Sequence, residues 1–508
     1  MSRPYDVAVV GAGPAGLSAA VQAAASGLRV ALIDAAAQPG GQYWRHYDER
    51  RARSSAGGAA AGRRARADGA GHHGWGVFTA LRGRLRSLRA AGLVDYLPGL
   101  QVYLATGPGP ATGPSARARS GAGPGTGVFT LRTTPSAGTP GAGGPAVTAA
   151  ALILCPGGYD RQLPVPGWDL PGVLTAGGAQ ALLKGHRTAA GRRAVVGGTG
   201  PFLLPVATGL ARAGTDVAAV VEANATLGWL RDPAGALSAP AKGVEALQYA
   251  ALLARHRIPY RTRTVISEIV GEDRVEAVRI TRVDRDGRPH GPAEEIRADL
   301  VALGWGFTPS IELPLMLGAA TREDVDGSLV VSVDAAQRSS VPGVWVAGEA
   351  TGVGGAALAV QEGRLSALGV ARALGRPADP AHVVRLRAAI VRGRRFAAAM
   401  HRTYPVPRAW TGWLRDSTLV CRCEEVSYGE LRAAHDELGA ADPRTLKMLA
   451  RPGMGWCQGR VCGFATAGIA ACLAGRDATA DDLRPMATRP LAAPVTLGEL
   501  AALADEEE

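Results

Sequence analysis

Cysteine is scarce in this chain, with six among 508 residues. That is too few, too widely spread, for a disulfide framework, and in a reducing compartment the thiols stay free for metal or redox work. No apolar run approaches the roughly 18 residues of a membrane span. The N-terminal MSRPYDVAVVGAG runs almost directly into a strand, so no signal peptide and a cytoplasmic location are expected. The net charge is +12, yet the arginines are scattered and the basic cluster from Arg45 to Arg66 falls in an Ala/Gly-rich, mobile-looking stretch. Without an aromatic-studded basic patch or a docking motif, nucleic-acid binding is not expected.

Glycine and proline, at 69 and 34 residues, are plentiful and point to loops and nucleotide-type turns. The length implies three or four compact units. YDVAVVGAGPAGLSAAVQAAASGLRVALIDA reads as a strand, a turn of Gly11, Ala12, Gly13, Pro14, Ala15 and Gly16, an Ala-rich helix and a second strand ending at Asp34. This is a complete dinucleotide fingerprint. Gly11 permits the tight turn, Gly13 lets the backbone approach a pyrophosphate, Gly16 lets helix and strand pack closely, and Asp34 is placed for an adenosine ribose.

GRRAVVGGTGPFLLPVATGLARAGTDVAAVVEA repeats the pattern, with Gly198, Gly200 and Pro201 in its turn and Glu222 ending its second strand. Leu203 occupies the third glycine position. Phe202, Leu203 and Leu204 read as core, and NAD, another adenine nucleotide and a purely structural fold all stay open for this second unit. The stretches TGPGPATGPSARARSGAGPGTG and TTPSAGTPGAGGP read as mobile surface loops. His72 and His73, with no acid at ligand spacing, read as structural, and Cys155 as a buried apolar thiol.

The remaining cysteines are grouped. Cys421 and Cys423 form a C-x-C pair, and after 33 intervening residues Cys457 and Cys462 form C-x4-C. Four thiolates so arranged are what a 2Fe-2S cluster requires; structural zinc favours C-x2-C knuckles, and a disulfide between Cys421 and Cys423 would be strained. Ser427 with Glu430 reads as a capping box, Asp442-Pro443 as a second helix start, and GFATAGIAACLAG as a third helix. Amides at Gly455, Gln458 and Gly459, with Arg422, Arg451 and Arg460, would favour an anionic cluster. Cys472 reads as a bystander on the apolar face of the last helix.

Two further segments carry a resemblance. SSVPGVWVAGEATGVGGAALAVQEG and AALILCPGGYDRQLPVPG resemble the late and crossing segments of flavoproteins built from two dinucleotide-binding domains. The resemblance implies FAD. It implies that Gly348 and Glu349 lie at the ribityl chain, that the helix entered through Gly355 and Ala356 aims at the flavin pyrimidine, that Gly157 lies in the crossing turn, and that Gly41 and Gln42 of QPGGQYWR run beside the flavin. The redox cysteine pair of the disulfide reductases is missing after this point, which excludes the dithiol branch.

VCRCEEV and GMGWCQGRVCG resemble the bacterioferritin-associated-ferredoxin type of 2Fe-2S domain. With PGGQYW, LPVPGWDLPGV and GWGFTPSIEL, the whole chain resembles the large subunits of heteromeric amine and imino-acid dehydrogenases. That group includes the hydrogen cyanide synthase middle subunit, opine oxidase A subunits and hydroxyproline dehydrogenase alpha subunits. The resemblance implies a D-amino-acid-oxidase-like flavoprotein partner that oxidises the amine, a small third subunit, an acceptor such as a quinone, and membrane association through the complex. No acid/base pair for substrate proton abstraction is evident here. A self-contained NAD(P)H-dependent flavin reductase and a non-enzymatic iron-sulfur scaffold are the alternatives.

The expected fold class is α/β, with the second nucleotide fold inserted in the first and a small, mainly α 2Fe-2S domain behind them. The expected boundaries are 1–187 with 299–376 for the FAD domain, 188–298 for the second fold, 377–415 for a helical linker, 416–480 for the 2Fe-2S domain and 481–508 for a tail.

Overall fold

A computed structural model describes residues 3–48, 72–108, 127–136 and 143–504. Most of the basic 45–66 stretch and the centres of both Gly/Pro-rich loops lie outside the described residues.

The first sheet has seven strands. Val94–Pro98, Val30–Asp34, Tyr5–Val10 and Val147–Leu154 run parallel in that order, and Phe129–Pro135 and Leu100–Thr106 continue antiparallel. Val344–Val346 returns from far along the chain to pair in parallel with Leu152–Leu154. The central strands are buried on both faces, as their unbroken apolar runs require. Helix Pro14–Ala25, with Pro at its first turn and alanine throughout, packs against helix Ala356–Ala373. The crossing is tight: a Cβ on Gly363 would lie 2.0 Å from the Ala15 carbonyl oxygen, and Ser18 donates to the Val360 carbonyl at 3.0 Å. Small residues therefore bring the N-termini of two helices to one end of the sheet.

The second sheet is parallel, in the order Tyr260–Thr262, Asp216–Glu222, Arg193–Gly198, Leu300–Gly304, Val173–Thr175. This pairing corrects the expected boundaries of 188 and 298. Val173–Thr175, helix Ala176–His186 and Leu300–Gly304 all belong to the second fold, because their apolar faces pack with Val196, Leu203 and Val220. The chain passes between the folds through Gly158–Asp160 and Phe307–Pro309, which pair antiparallel.

Beyond residue 376 the expected linker and tail are also structural parts. Trp413 packs on Trp305 with ring centroids 5.5 Å apart, and one buried cluster runs from Val265 and Trp305 through Trp413 to Leu431 and Ile469. After the last cysteine helix, Ala492 N–H donates to the Tyr103 carbonyl at 2.8 Å and Thr134 donates to Glu499 at 2.7 Å. The C-terminal segment thus folds back onto the first sheet. Among the described residues no helix is long and apolar enough to cross a membrane.

Candidate functional site

The turn from Gly11 to Gly16 lies where Tyr5–Val10 meets its helix. Gly11 N–H donates to the Ile33 carbonyl at 2.8 Å, and Asp34 accepts from the amides of Ala12 and of Ala36, the latter at 2.7 Å. Asp34 thereby fixes the turn, and burial pushes its carboxyl above the usual range. Gly41 rests on the turn in a left-handed conformation; a Cβ there would lie 2.8 Å from Gly13 Cα. Gln42, expected beside it, is exposed and accepts from Arg45 at 2.6 Å.

Two other segments converge on the same end of the sheet. Cys155 N–H donates to the Val10 carbonyl at 2.8 Å, and the chain turns at Gly157 into Gly158–Asp160. From the other side, Gly348 N–H donates to Glu362 at 2.9 Å, and Glu349 places a carboxylate oxygen 3.3 Å from where a Gly158 Cβ would be. Gly355 caps helix Ala356–Ala373 without a side-chain bond to its first amides. Glu349 is half-buried. Burial, and then the charge of Asp160, push its carboxyl up to about 7.

A native carboxyl raised from 4.5 to about 7 holds a proton that the unfolded chain has lost, so stability falls as pH rises through that window. Glu222, raised by burial to about 7, acts in the same direction. Apoprotein thermal midpoints should therefore fall between pH 5 and 7, and Glu349→Gln should flatten part of that slope. An unchanged slope in the variant would show that Glu349 is not the buried acid described.

Helices Pro14–Ala25 and Ala356–Ala373, the Gly41 turn and the Gly157 crossing thus meet at one end of the sheet, where two helix N-termini and glycine turns fit a dinucleotide. A family model described as pyridine nucleotide-disulphide oxidoreductase matches residues 5–363. The chain belongs to this family. As a pyridine nucleotide-disulphide oxidoreductase family member it has the FAD-binding, mixed α/β fold and is an oxidoreductase. It carries only Cys155 within the matched span, buried and with its thiol pushed up by burial, so no dithiol serves the site.

The opine oxidase A subunit of Rhizobium meliloti (strain 1021) is 32% identical over 510 residues, 99% of each chain. Hydrogen cyanide synthase subunit HcnB of Pseudomonas aeruginosa is 33% identical over 319 residues, 61% of this chain and 68% of that one. In solved structures, the L-proline dehydrogenase of P. horikoshii shares the fold with a TM-score of 0.62 at 19% identity, over 98% of this chain and 79% of that one.

The second fold's turn repeats the acid-to-turn bonding of the first and differs in what lies over it. Glu222 is fully buried, accepting from Gly200 N–H at 2.8 Å, Asn224 N–H at 2.9 Å and the Thr199 hydroxyl at 3.0 Å. Like Asp34, it bonds its own turn. Leu203 is buried and opens helix Leu203–Arg212, while Pro201 is exposed. Tyr404 Cβ lies 3.9 Å from where a Gly200 Cβ would be, and Asn224 donates to the Pro405 carbonyl at 2.8 Å. The end of helix Pro380–Thr403 therefore covers the turn over which a dinucleotide would lie.

In the C-terminal unit, Leu419–Cys421 pairs with Val426–Ser427, the Ser427–Glu430 capping box starts helix Tyr428–Asp436, and Asp442 caps Pro443–Ala450. Helix Gly463–Leu473 begins immediately after Cys462. These elements bring all four grouped cysteines together. Cys421 and Cys462 are buried, Cys457 is half-buried and Cys423 exposed. Hydrogen bonding from Cys462 and from the amides of Gly453, Glu424 and Cys423 holds the Cys421 thiol down to about 5, and the neighbouring Cys421 raises the Cys462 thiol. Cys423 likewise lies beside Cys457. A Cβ on Gly455 would lie 2.3 Å from Cys423 Cβ, so only glycine lets the two loops meet. Among the described residues no three His, Cys, Asp or Glu side chains converge on one point as a single metal ion requires; the thiols meet as two pairs.

Cys472 is exposed, against expectation, and contacts the Thr411 hydroxyl at 3.2 Å. The expected arginines are engaged elsewhere: Arg451 with Glu424 at 3.2 Å, Arg460 with Glu312 at 3.1 Å, and Arg422 over the Trp168 ring at 5.2 Å. Sequence reading missed the residues joining the two sites. Arg489 donates to Glu312 at 2.9 Å and to the Gln458 carbonyl at 2.8 Å, tying the cysteine loop to the first fold. Arg161, paired with Asp326, lies 4.2 Å over the Phe464 ring, two residues beyond Cys462. No local pattern marks these, because Glu312, Asp326 and Phe464 lie more than a hundred residues from the arginines they meet. His72 bonds the Arg45 carbonyl at 2.6 Å and His73 the Tyr249 hydroxyl at 2.8 Å.

Proposed function

We propose that this chain is the electron-transferring subunit of a heteromeric dehydrogenase or oxidase acting on an amino acid, imino acid or opine, whose substrate is oxidised in a partner flavoprotein subunit. The observation that carries this reading is the pairing of a dinucleotide site with a four-thiol cage, held to each other by Arg489, Glu312 and Arg161 in one fold. Full-length likeness to the opine oxidase A subunit supports it.

In the dinucleotide site, Gly11, Gly13, Gly16, Gly41, Gly157, Gly348, Glu349, Gly355 and Ala356 would hold FAD, with the two helix N-termini facing its phosphates and pyrimidine edge. In the cage, Cys421, Cys423, Cys457 and Cys462 would hold a 2Fe-2S cluster, and their approach as two pairs favours two irons over one zinc. Bound FAD exchanges electron pairs and the cluster single electrons, which suits a relay toward an acceptor such as a quinone. The protein holds, orients and shields both groups.

The Tyr404–Pro405 cover of the second turn supports the relay against a self-contained NADH-dependent reductase. Purified protein should contain stoichiometric flavin and iron, and anaerobic NADH should leave the flavin oxidised. Rapid bleaching of its absorbance by NADH would overturn the relay in favour of the reductase. Absence of flavin would leave only an iron-sulfur scaffold.

A further inference from the structure

Helix Pro380–Thr403 has two faces with different occupations. Its inner face holds the flavin-side loop: Arg394 donates to the Gly352 carbonyl at 2.7 Å and to the buried Glu362 at 2.6 Å, and His401 bonds the Val353 carbonyl at 2.8 Å. Its outer face leaves Val384, Arg387, Ala388, Val391, Arg392 and Arg395 exposed, with 384, 388, 391 and 395 at the spacing of one helical stripe.

Beside that stripe lies the segment from Thr226 to Ser238. Trp229 stacks on Phe396 at 5.5 Å, and Ser238 donates to the Arg392 carbonyl at 3.3 Å, so segment and helix form one surface. The segment projects Leu227, Leu230 and Leu237, which are 72%, 74% and 76% exposed. Three leucines so bare, beside two exposed valines, are more than scattered surface apolarity.

The charge of this surface is one-sided. Between Asp379 and Asp416 the chain has eight arginines and no aspartate or glutamate. Arg394 and Arg402 are engaged by Glu362 and Asp232, and Arg385 approaches Asp379 at 3.7 Å. Among the described residues, Arg231, Arg387, Arg392 and Arg395 have no carboxylate partner.

We propose that this surface is the docking face for the substrate-oxidising partner subunit, which meets it with an apolar surface rimmed by carboxylates. The proposal rests on the relay reading and names where its partner binds. Charge complementarity selects an acidic occupant. Position selects the redox partner, because one helix, about 10 Å thick, separates this surface from the Gly348–Gly355 loop of the flavin site. An anionic bilayer or a second copy of the chain are the occupants the test must separate from it.

The test is to co-express the complex from its own gene cluster with a tag on this chain, then determine subunit composition and flavin content. Wild type should retain a second, flavin-bearing chain in stoichiometric amount. Leu230→Glu with Leu237→Glu, and separately Arg392→Glu with Arg395→Glu, should weaken that association about 100-fold. Both should keep this chain's own flavin and melting temperature, and exposed Met448→Glu on the cysteine unit should change nothing. Retention of the second chain by both double variants overturns the proposal. So does either of two alternatives: self-association of the wild type that the leucine variant abolishes, or flotation with phosphatidylglycerol vesicles that the arginine variant abolishes while the second chain stays bound. A wild-type chain with no second flavoprotein would instead sink the relay reading itself.

Discussion

Replacing Cys462 with serine should strip the protein of iron while leaving its flavin stoichiometric. Cys462 is buried where helix Gly463–Leu473 begins, beside Cys421 of the hairpin. A serine hydroxyl there can still bond the neighbouring thiol, so the apolar cluster containing Ile469 and Leu431 should stay intact. What it cannot supply is a soft thiolate, and iron affinity should fall by more than about 100-fold. Cys457→Ser should do the same from the half-buried side of the cage. Cys472→Ser and Cys155→Ser, which change thiols outside it, should leave iron content and visible spectrum unchanged. Survival of iron and its absorbance in both Cys462→Ser and Cys457→Ser would refute the cage.

The second large effect is expected at Gly16. A Cβ there would lie 1.7 Å from the Gly11 carbonyl oxygen, 2.9 Å from its carbon and 3.3 Å from Cys155 Cβ. These atoms cannot yield locally, since Gly11 is tied to Ile33 and Cys155 to Val10, both at 2.8 Å. In Gly16→Ala the helix must move off the strand, and its amides leave the position at which a pyrophosphate would meet them. Flavin affinity should drop at least about 100-fold, or roughly 2.7 kcal/mol, with a strain cost to folding of about 1–3 kcal/mol. Gly76→Ala is the control, because a Cβ in that helix meets nothing within 4 Å. Absorbance of the purified protein and a thermal melt separate loss of flavin from loss of fold. A Gly16→Ala protein that purifies yellow at full stoichiometry would remove the turn from the binding site.

The relation between the two sites was the least legible feature. C-x-C and C-x4-C announce a four-thiol cage by spacing alone, yet nothing near them marks Glu312, 145 positions before Cys457, as the carboxylate holding Arg460 and Arg489. The expected positive field around the cage was misjudged for the same reason, since the carboxylate facing Arg460 comes from another fold and that facing Arg451 from a different loop. Boundaries at 188 and 298 failed because Val173–Thr175 and Leu300–Gly304 are too short to carry a period of their own, and only pairing assigns them to a sheet.

Local chemistry was determined by the sequence itself. Two glycine turns each followed by an acid-ended strand, the capping boxes and the cysteine spacings depend on contacts within a few residues, where backbone sterics and hydrogen bonding act directly. Tertiary structure decided what lies over each turn. Asp34 and Glu222 bond their turns alike, but Tyr404 and Pro405, nearly two hundred residues on, lie against the second. Burial and charge depend on distance in space, and the chain alone records only distance along itself.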